Sequence, residues 1–503
     1  MMVSMKKINA PFRSLALAAL LLVLPGMLGG CAVNPATGKQ SFTAFMSPER
    51  EKEVGRQEHA KIIKQFGGVY DDVELGAYVA SVGFTLVKVS ELPDLGFTFT
   101  VLNDDKVNAF ALPGGYVYIT RGLLAICADE SEMAGVLAHE VGHVTARHTA
   151  QRYSAAMATN IGLQVLGVLG SAAGIPGGAG NLASLGAQMA LQSYSREQEL
   201  ESDSLGIRYL ARAGYDPDAM TGFFHKLQAH TRLQGLMAGK DDSSEKFNIM
   251  ATHPLTSERI SESERLAGTA QINGRKRQAN IFAAQIDGLL FGDDPEQGIR
   301  KGRAFEHPGL GIHFEVPSGF SMVNSPTNVS AYGPDDALIR FNMANEDEYN
   351  KAGNPAAYVA AIGIDGNRFK NVENLNVNGM TSATGSISVQ ADGKTMNAQL
   401  VVIFEKTDKI YQLLFLSNPQ QTNALSEDFR RTTYSFRRLS KEEIDSIKPL
   451  RVRMHSVRPG DTPESLAAAM PMEKFGLEWF DLLNDRAGGG PLEPGVQVRL
   501  IGE

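Results

Sequence analysis

The feature that most constrains this chain is His139-Glu140-Val141-Gly142-His143, set in a run with helical patterning. Apolar residues at 133, 134, 136, 137, 141 and 144, with acidic Asp129, Glu130 and Glu132 ahead of them, predict a helix over residues 131–144. Residues four apart share a helix face, so His139 and His143 can grip one divalent cation between their imidazoles. Glu140, one step round, can take a proton from water beside that cation without becoming a ligand. A helix face that merely carries two histidines is the plainer alternative, and a third ligand decides between them.

One extended zinc pattern needs a Gly and a His three and six residues past His143, where Ala146 and Thr149 stand. The other takes a Glu from a later helix, followed one turn on by an Asp that holds a ligand imidazole. Between residues 196 and 203 there are three glutamates. Glu199 has Asp203 at i+4, whereas Glu197 has Glu201 and Glu201 has Leu205. The expected ligands are therefore His139, His143 and Glu199, with Asp203 supporting a histidine and Glu201 as the alternative ligand. Two imidazoles and one carboxylate suit one Zn²⁺ per chain, with a position left open for water. His148, five residues past His143 and off its face, reads as structural.

These segments, together with Asn108-Ala109-Phe110-Ala111-Leu112-Pro113-Gly114-Gly115-Tyr116 and Thr252-His253-Pro254-Leu255, resemble the gluzincin metallopeptidases that include HtpX, the CAAX prenyl protease and BepA. The resemblance covers about residues 40–285. It implies a mainly α-helical zincin-type (α+β) domain and a zinc metalloendopeptidase with Glu140 as general base. It also places His253 near the metal, either donating to the oxyanion or ligating the ion in a latent state. Asn108, Ala109 and Phe110 fall where such enzymes pair with an extended peptide, and Tyr116 to Thr120 forms a high-propensity strand beside them. Ser202 departs from the family's usual Ala.

Lys6, Lys7 and Arg13 precede an apolar run from Leu15 to Leu24, and Leu28-Gly29-Gly30-Cys31 follows. This reads as a lipoprotein-type signal peptide over residues 1–30, with Cys31 lipidated and anchoring the chain to a membrane. Ala32 after the cysteine fits an outer-membrane lipoprotein facing the periplasm of a Gram-negative cell envelope. Cys127 is then left without a disulfide partner. A net charge of −8 argues against nucleic acid as a partner.

Residues 31–285 form the expected protease domain, within which 155–192, almost free of charge, read as two small-residue helices joined by a Gly-rich loop. Residues 286–304 read as a linker and 305–440 as an α+β module of unknown role. Residues 451–503, with Arg458-Pro459-Gly460-Asp461-Thr462, resemble a LysM module of βααβ form, which implies peptidoglycan as a possible partner. The expected fold class is thus multidomain. The expected function is hydrolysis of misfolded or stalled envelope proteins. The alternatives are a latent-protease chaperone or scaffold for outer-membrane assembly and a peptidoglycan-associated peptidase.

Overall fold

The structure, a computed structural model, describes residues 31–171, 193–237, 253–344, 353–405 and 409–503, apart from 273, 365, 392, 473 and 487–488. For Cys31 and residues 160–171 only the backbone is described. The signal peptide and most of the 155–192 hairpin lie outside these residues.

A short hairpin, β1 (Cys31–Val33) and β2 (Gln40–Phe42), leads into helices α1 (Pro48–Gln65) and α2 (Val73–Lys88). Three strands follow: β3 (Thr98–Leu102), β4 (Ala109–Leu112) and β5 (Tyr116–Thr120). Their order is β3-β5-β4, with β3 parallel and β4 antiparallel to β5. Gly114 and Gly115, both at positive φ, make the β4–β5 turn against the backbone of residues 52 and 96, where a Cβ would collide. The period of two sorts side chains between faces. Ala109, Ala111, Val117 and Ile119 join the main core, while Phe110, Leu112 and Tyr118 pack with Ile62 of α1.

After α3 (Arg121–Ile126), Asp129 caps the N-terminus of α4 (Glu130–Thr145) by accepting from the Glu132 N–H. The helix predicted over 131–144 is this element. Met133, Leu137 and Val141 bury its apolar stripe in the main core. Then come α5 (His148–Ser171), α6 (Arg196–Ala213), α7 (Asp218–Met237), α8 (Ser257–Thr269) and α9 (Ala279–Ile286). No helix among the described residues is long and apolar enough to cross a membrane.

Residues 286–304 are structured. They include β6 (Leu290–Phe291) and β7 (Ile299–Lys301), and Arg300 reaches Asp105 at 2.8 Å and Asp293 at 2.7 Å. The α+β module that follows uses β8 (Ala304–His307) and β9 (Ile312–Glu315) in a small sheet beside a seven-stranded antiparallel one. Along one central strand of that larger sheet, Val401 and Ile403 enter one apolar cluster and Leu400 and Val402 another, so both faces are covered.

The last segment is strand, two helices, strand. Residues Leu450–Ser456 pair with Gln497–Gly502 on one side and with β6 on the other. Val452, Trp479, Phe480 and Ile501 share one continuous core with Phe282, Ile286 and helices α2, α4, α6 and α7. Buried Arg499 donates to the carbonyls of Cys127 and Ala128, immediately before α4. The C-terminal unit is therefore fused to the first half by packing, although some 150 residues separate them in sequence.

Candidate metal centre

Two helix starts place the key side chains. In α6 the Ser195 hydroxyl accepts from the Gln198 N–H and the Gln198 side chain accepts from the Ser195 N–H. That cap sets the helical phase so that Glu199, Ser202, Asp203 and Gly206 form the buried face against α4. The approach is close: a Cβ on Gly142 would lie 2.7 Å from Ser202 Oγ, and Ser202 donates to the carbonyl of His139. The Ser-for-Ala departure thus adds a bond between the two helices.

His139 Nε2 and His143 Nε2 stand 3.0 Å apart, and Glu199 Oε1 lies 3.3 Å from the latter. His253, buried ahead of α8, brings Nδ1 to 2.9 Å from Glu199 and 3.2 Å from His139 Nε2. Its Nε2 points towards Glu140 at 3.5 Å. One ligand atom from each of His139, His143, Glu199 and His253 falls within 4.8 Å of all the others, and all four residues are buried.

These residues fit a metal ion on chemical grounds. Asp203 Oδ1 lies 2.9 Å from His139 Nδ1, which favours the ring proton on that nitrogen and leaves Nε2 as a lone pair. A second imidazole nitrogen and a carboxylate then face that lone pair inside a buried space. Converging acceptors repel unless a cation lies among them. Both Glu140 oxygens are buried and lack a hydrogen-bond donor among the described residues, as expected of a base that waits for water.

Burial pushes the Glu140 carboxyl above its ordinary range, opposed by His253 and His139. Burial pulls His143 well below the usual histidine range. Burial acts against ionised Asp203, yet Arg259 outweighs it and holds that carboxyl low. Arg259, on α8, clasps Asp203 at 2.7 Å through two nitrogens and meets Glu199 at 2.6 Å. It is a site residue that the sequence motifs did not single out. Its signal was an arginine six residues past His253 at the start of a helix.

Glu201 lies away from the cluster, with Oε2 2.9 Å from His148 Nε2 and Oε1 3.5 Å from Lys39. His148, in turn, bonds His143 through the two Nδ1 atoms at 2.8 Å. Reading His148 as merely structural overlooked that contact. Arg147 explains why: its positive φ of 57° breaks the helix and swings His148 back towards His143. Tyr194 also escaped notice; its ring stacks on His143 at 3.7 Å.

The strand Tyr116–Thr120 is central, with both edges taken by β3 and β4, so it cannot pair with a peptide. Among the described residues β3 and β4 are the two edges of this sheet. The Phe110 ring is packed between Phe66 and Tyr118, and Asn108 donates its N–H to Thr120 Oγ1. Ala109 and Phe110 are buried, whereas Asn108 is partly exposed and its Oδ1 has no hydrogen-bond donor among the described residues. Cys127 is free and buried, and burial pushes its thiol up.

Residues 75–267 match Peptidase family M48. This segment is an M48 peptidase domain. A beta-barrel assembly-enhancing protease of Escherichia coli K12 is 34% identical over 252 residues, covering 49% of this chain and 49% of the relative. One from Yersinia pestis is 36% identical over 207 residues, 40% of each chain. The mitochondrial metalloendopeptidase OMA1 of Schizosaccharomyces pombe is 27% identical over 243 residues, 47% of this chain and 67% of that protein. The chain spans about half the length of the beta-barrel assembly-enhancing proteases it matches. M48 peptidases use zinc, and the buried His139, His143, Glu199 and His253 group is able to bind such an ion.

Proposed function

We propose that this chain is a zinc-dependent endopeptidase of the bacterial cell envelope, acting on misfolded or stalled proteins. The observation that carries the reading is the M48 domain's converging donor set beside a buried carboxylate, Glu140, that has no hydrogen-bond donor among the described residues. His139, His143 and Glu199 would hold the ion. When bound, zinc would polarise a peptide carbonyl and acidify the attacking water. Glu140 accepts the water proton and returns it to the leaving amine. Asp203 and Arg259 hold His139 and Glu199 in place. Asn108, partly exposed just ahead of strand β4, is the candidate contact for an extended substrate.

His253 has two candidate roles, oxyanion donor and resting-state ligand. Its Nδ1 lies among the ligand atoms, which favours the resting, latent role. Replacing it with alanine would then raise basal hydrolysis, whereas a donor role predicts a loss. The leader and Cys31 support an outer-membrane lipoprotein, and the Gly-Asp-Thr turn supports a LysM-like C-terminal unit for peptidoglycan. The fused core argues that this unit also braces the catalytic half.

The deciding experiment compares wild type and Glu140→Gln on an unfolded protein and on peptidoglycan. The proposal expects zinc to be retained and proteolysis to fall about 10²- to 10⁴-fold. Equal behaviour of the two proteins on unfolded protein would eliminate the endopeptidase and leave a scaffold. Hydrolysis confined to peptidoglycan would favour the cell-wall reading.

A further inference from the structure

Ligand histidines need their second nitrogen held, because the partner of that nitrogen fixes the ring's tautomer and orientation. For His139 the partner is Asp203. For His143, no carboxylate among the described residues touches the ring's far side; the partner is another histidine. His148 is fully buried, with Nδ1 2.8 Å from His143 Nδ1 and Nε2 2.9 Å from Glu201 Oε2.

Proton counting along this chain leaves one arrangement once His143 is neutral, as an imidazole that binds a metal through one nitrogen must be. The Glu201 carboxylate can only accept, so the His148 proton sits on Nε2. His148 Nδ1 is then a bare acceptor. It can bond His143 only if His143 carries its own proton on Nδ1. That leaves His143 Nε2 unprotonated and aimed at Glu199 and His139. Glu201 is secured in turn by Lys39, from the opening hairpin region.

We propose that His148 and Glu201 are positioning residues, a two-step relay that fixes the metal-binding tautomer of His143. The inference rests on the zinc-site reading above and extends it to residues outside the ligand set. It explains why Glu201, the alternative ligand by sequence, lies away from the cluster. It also gives the two ligand histidines separate supports, one direct and one through an intervening ring. Tyr194, stacked on the His143 face, limits rotation about the same axis.

The test measures Zn²⁺ affinity of the full chain by competition with a chromophoric chelator, and records the visible spectrum of the Co²⁺-loaded protein. His148→Phe keeps a buried ring and removes the acceptor, so affinity should fall about 10- to 100-fold and the Co²⁺ bands should shift. His148→Asn places an amide oxygen near the Nδ1 position and should recover most of that loss. Glu201→Gln, at a partly exposed site, should weaken binding by less than His148→Phe. The relay is overturned if both His148 variants bind as wild type does, or if both lose affinity equally with unshifted Co²⁺ bands. Should His148→Phe fail to fold, Glu201→Gln decides, and wild-type affinity in that variant overturns the proposal. If wild type itself binds no zinc, the zinc reading has failed rather than the relay.

Discussion

Two glycines on the catalytic helix make opposite predictions for the same substitution. At Gly142 an added Cβ would lie 2.7 Å from Ser202 Oγ, 3.1 Å from the Ser202 carbonyl oxygen and 3.2 Å from Leu205 Cβ. At Gly135 the nearest atoms are Met220 Cα at 3.5 Å, Met220 Cβ at 3.6 Å and Leu210 Cδ1 at 3.7 Å, which is ordinary contact. Each Gly→Ala change gains about 1 kcal/mol of helix propensity. At Gly135 nothing opposes the gain. At Gly142 the Ser202 hydroxyl must turn away, giving up its bond to His139 for about 1 kcal/mol, or the ligand helices must part. Overpacking against the remaining backbone atoms costs about 1–3 kcal/mol more. The net expectation is a loss of about 1–3 kcal/mol for Gly142→Ala and a gain of about 1 kcal/mol for Gly135→Ala. Urea unfolding of the metal-free protein reads both, because Trp479 is the chain's single tryptophan and lies in the core shared with this helix. A Gly142→Ala protein as stable as Gly135→Ala would refute the close helix approach on which the ligand geometry depends.

Other consequences are equally concrete. His230 is buried against Trp479, ring centroids 5.7 Å apart, and burial pushes its pKa down to about 4. The folded state then binds fewer protons than the unfolded chain, whose histidine titrates near about 6.5. Stability therefore falls as pH drops from about 6.5 to about 4, by up to about 3 kcal/mol. His230→Leu should flatten that part of the profile, and superimposable urea midpoints at pH 7 and 4.5 for both proteins would reject the assignment. Trp479→Ala should cost about 3–5 kcal/mol and lower the melting of the zinc-site half with it, because the core is continuous. Circular dichroism showing the C-terminal unit melting apart from an unaltered catalytic half would contradict that continuity.

Much of the centre was legible because helical spacing projects directly onto one face. The 139/143 and 199/203 pairs each needed only local geometry, and the structure puts His139, His143 and Glu199 together with Asp203 beside His139. The strands Ile312–Glu315, Leu338–Ala344 and Lys394–Glu405 fall within residues 305–440, the segment read as an α+β module. What escaped was long-range or set by a single backbone turn. The left-handed Arg147 redirects His148 in a way that periodicity does not register. Arg259 acts on Asp203 across 56 residues. Residues 286–304 carry turn-forming composition, yet β6 completes a sheet with Leu450–Ser456, a partner no local pattern announces. Tyr116 to Thr120 had the propensity of a strand, but propensity does not say whether a strand is central or at an edge.

The central claim is met most directly by X-ray absorption and metal analysis of the purified chain. The account predicts one zinc per chain, bound by nitrogen and oxygen at about 2.0–2.1 Å without sulfur. Occupancy should be lost in the His139→Ala/His143→Ala double variant and sharply reduced in Glu199→Gln. Absence of stoichiometric zinc, a sulfur ligand, or full occupancy after removal of both histidines would contradict it.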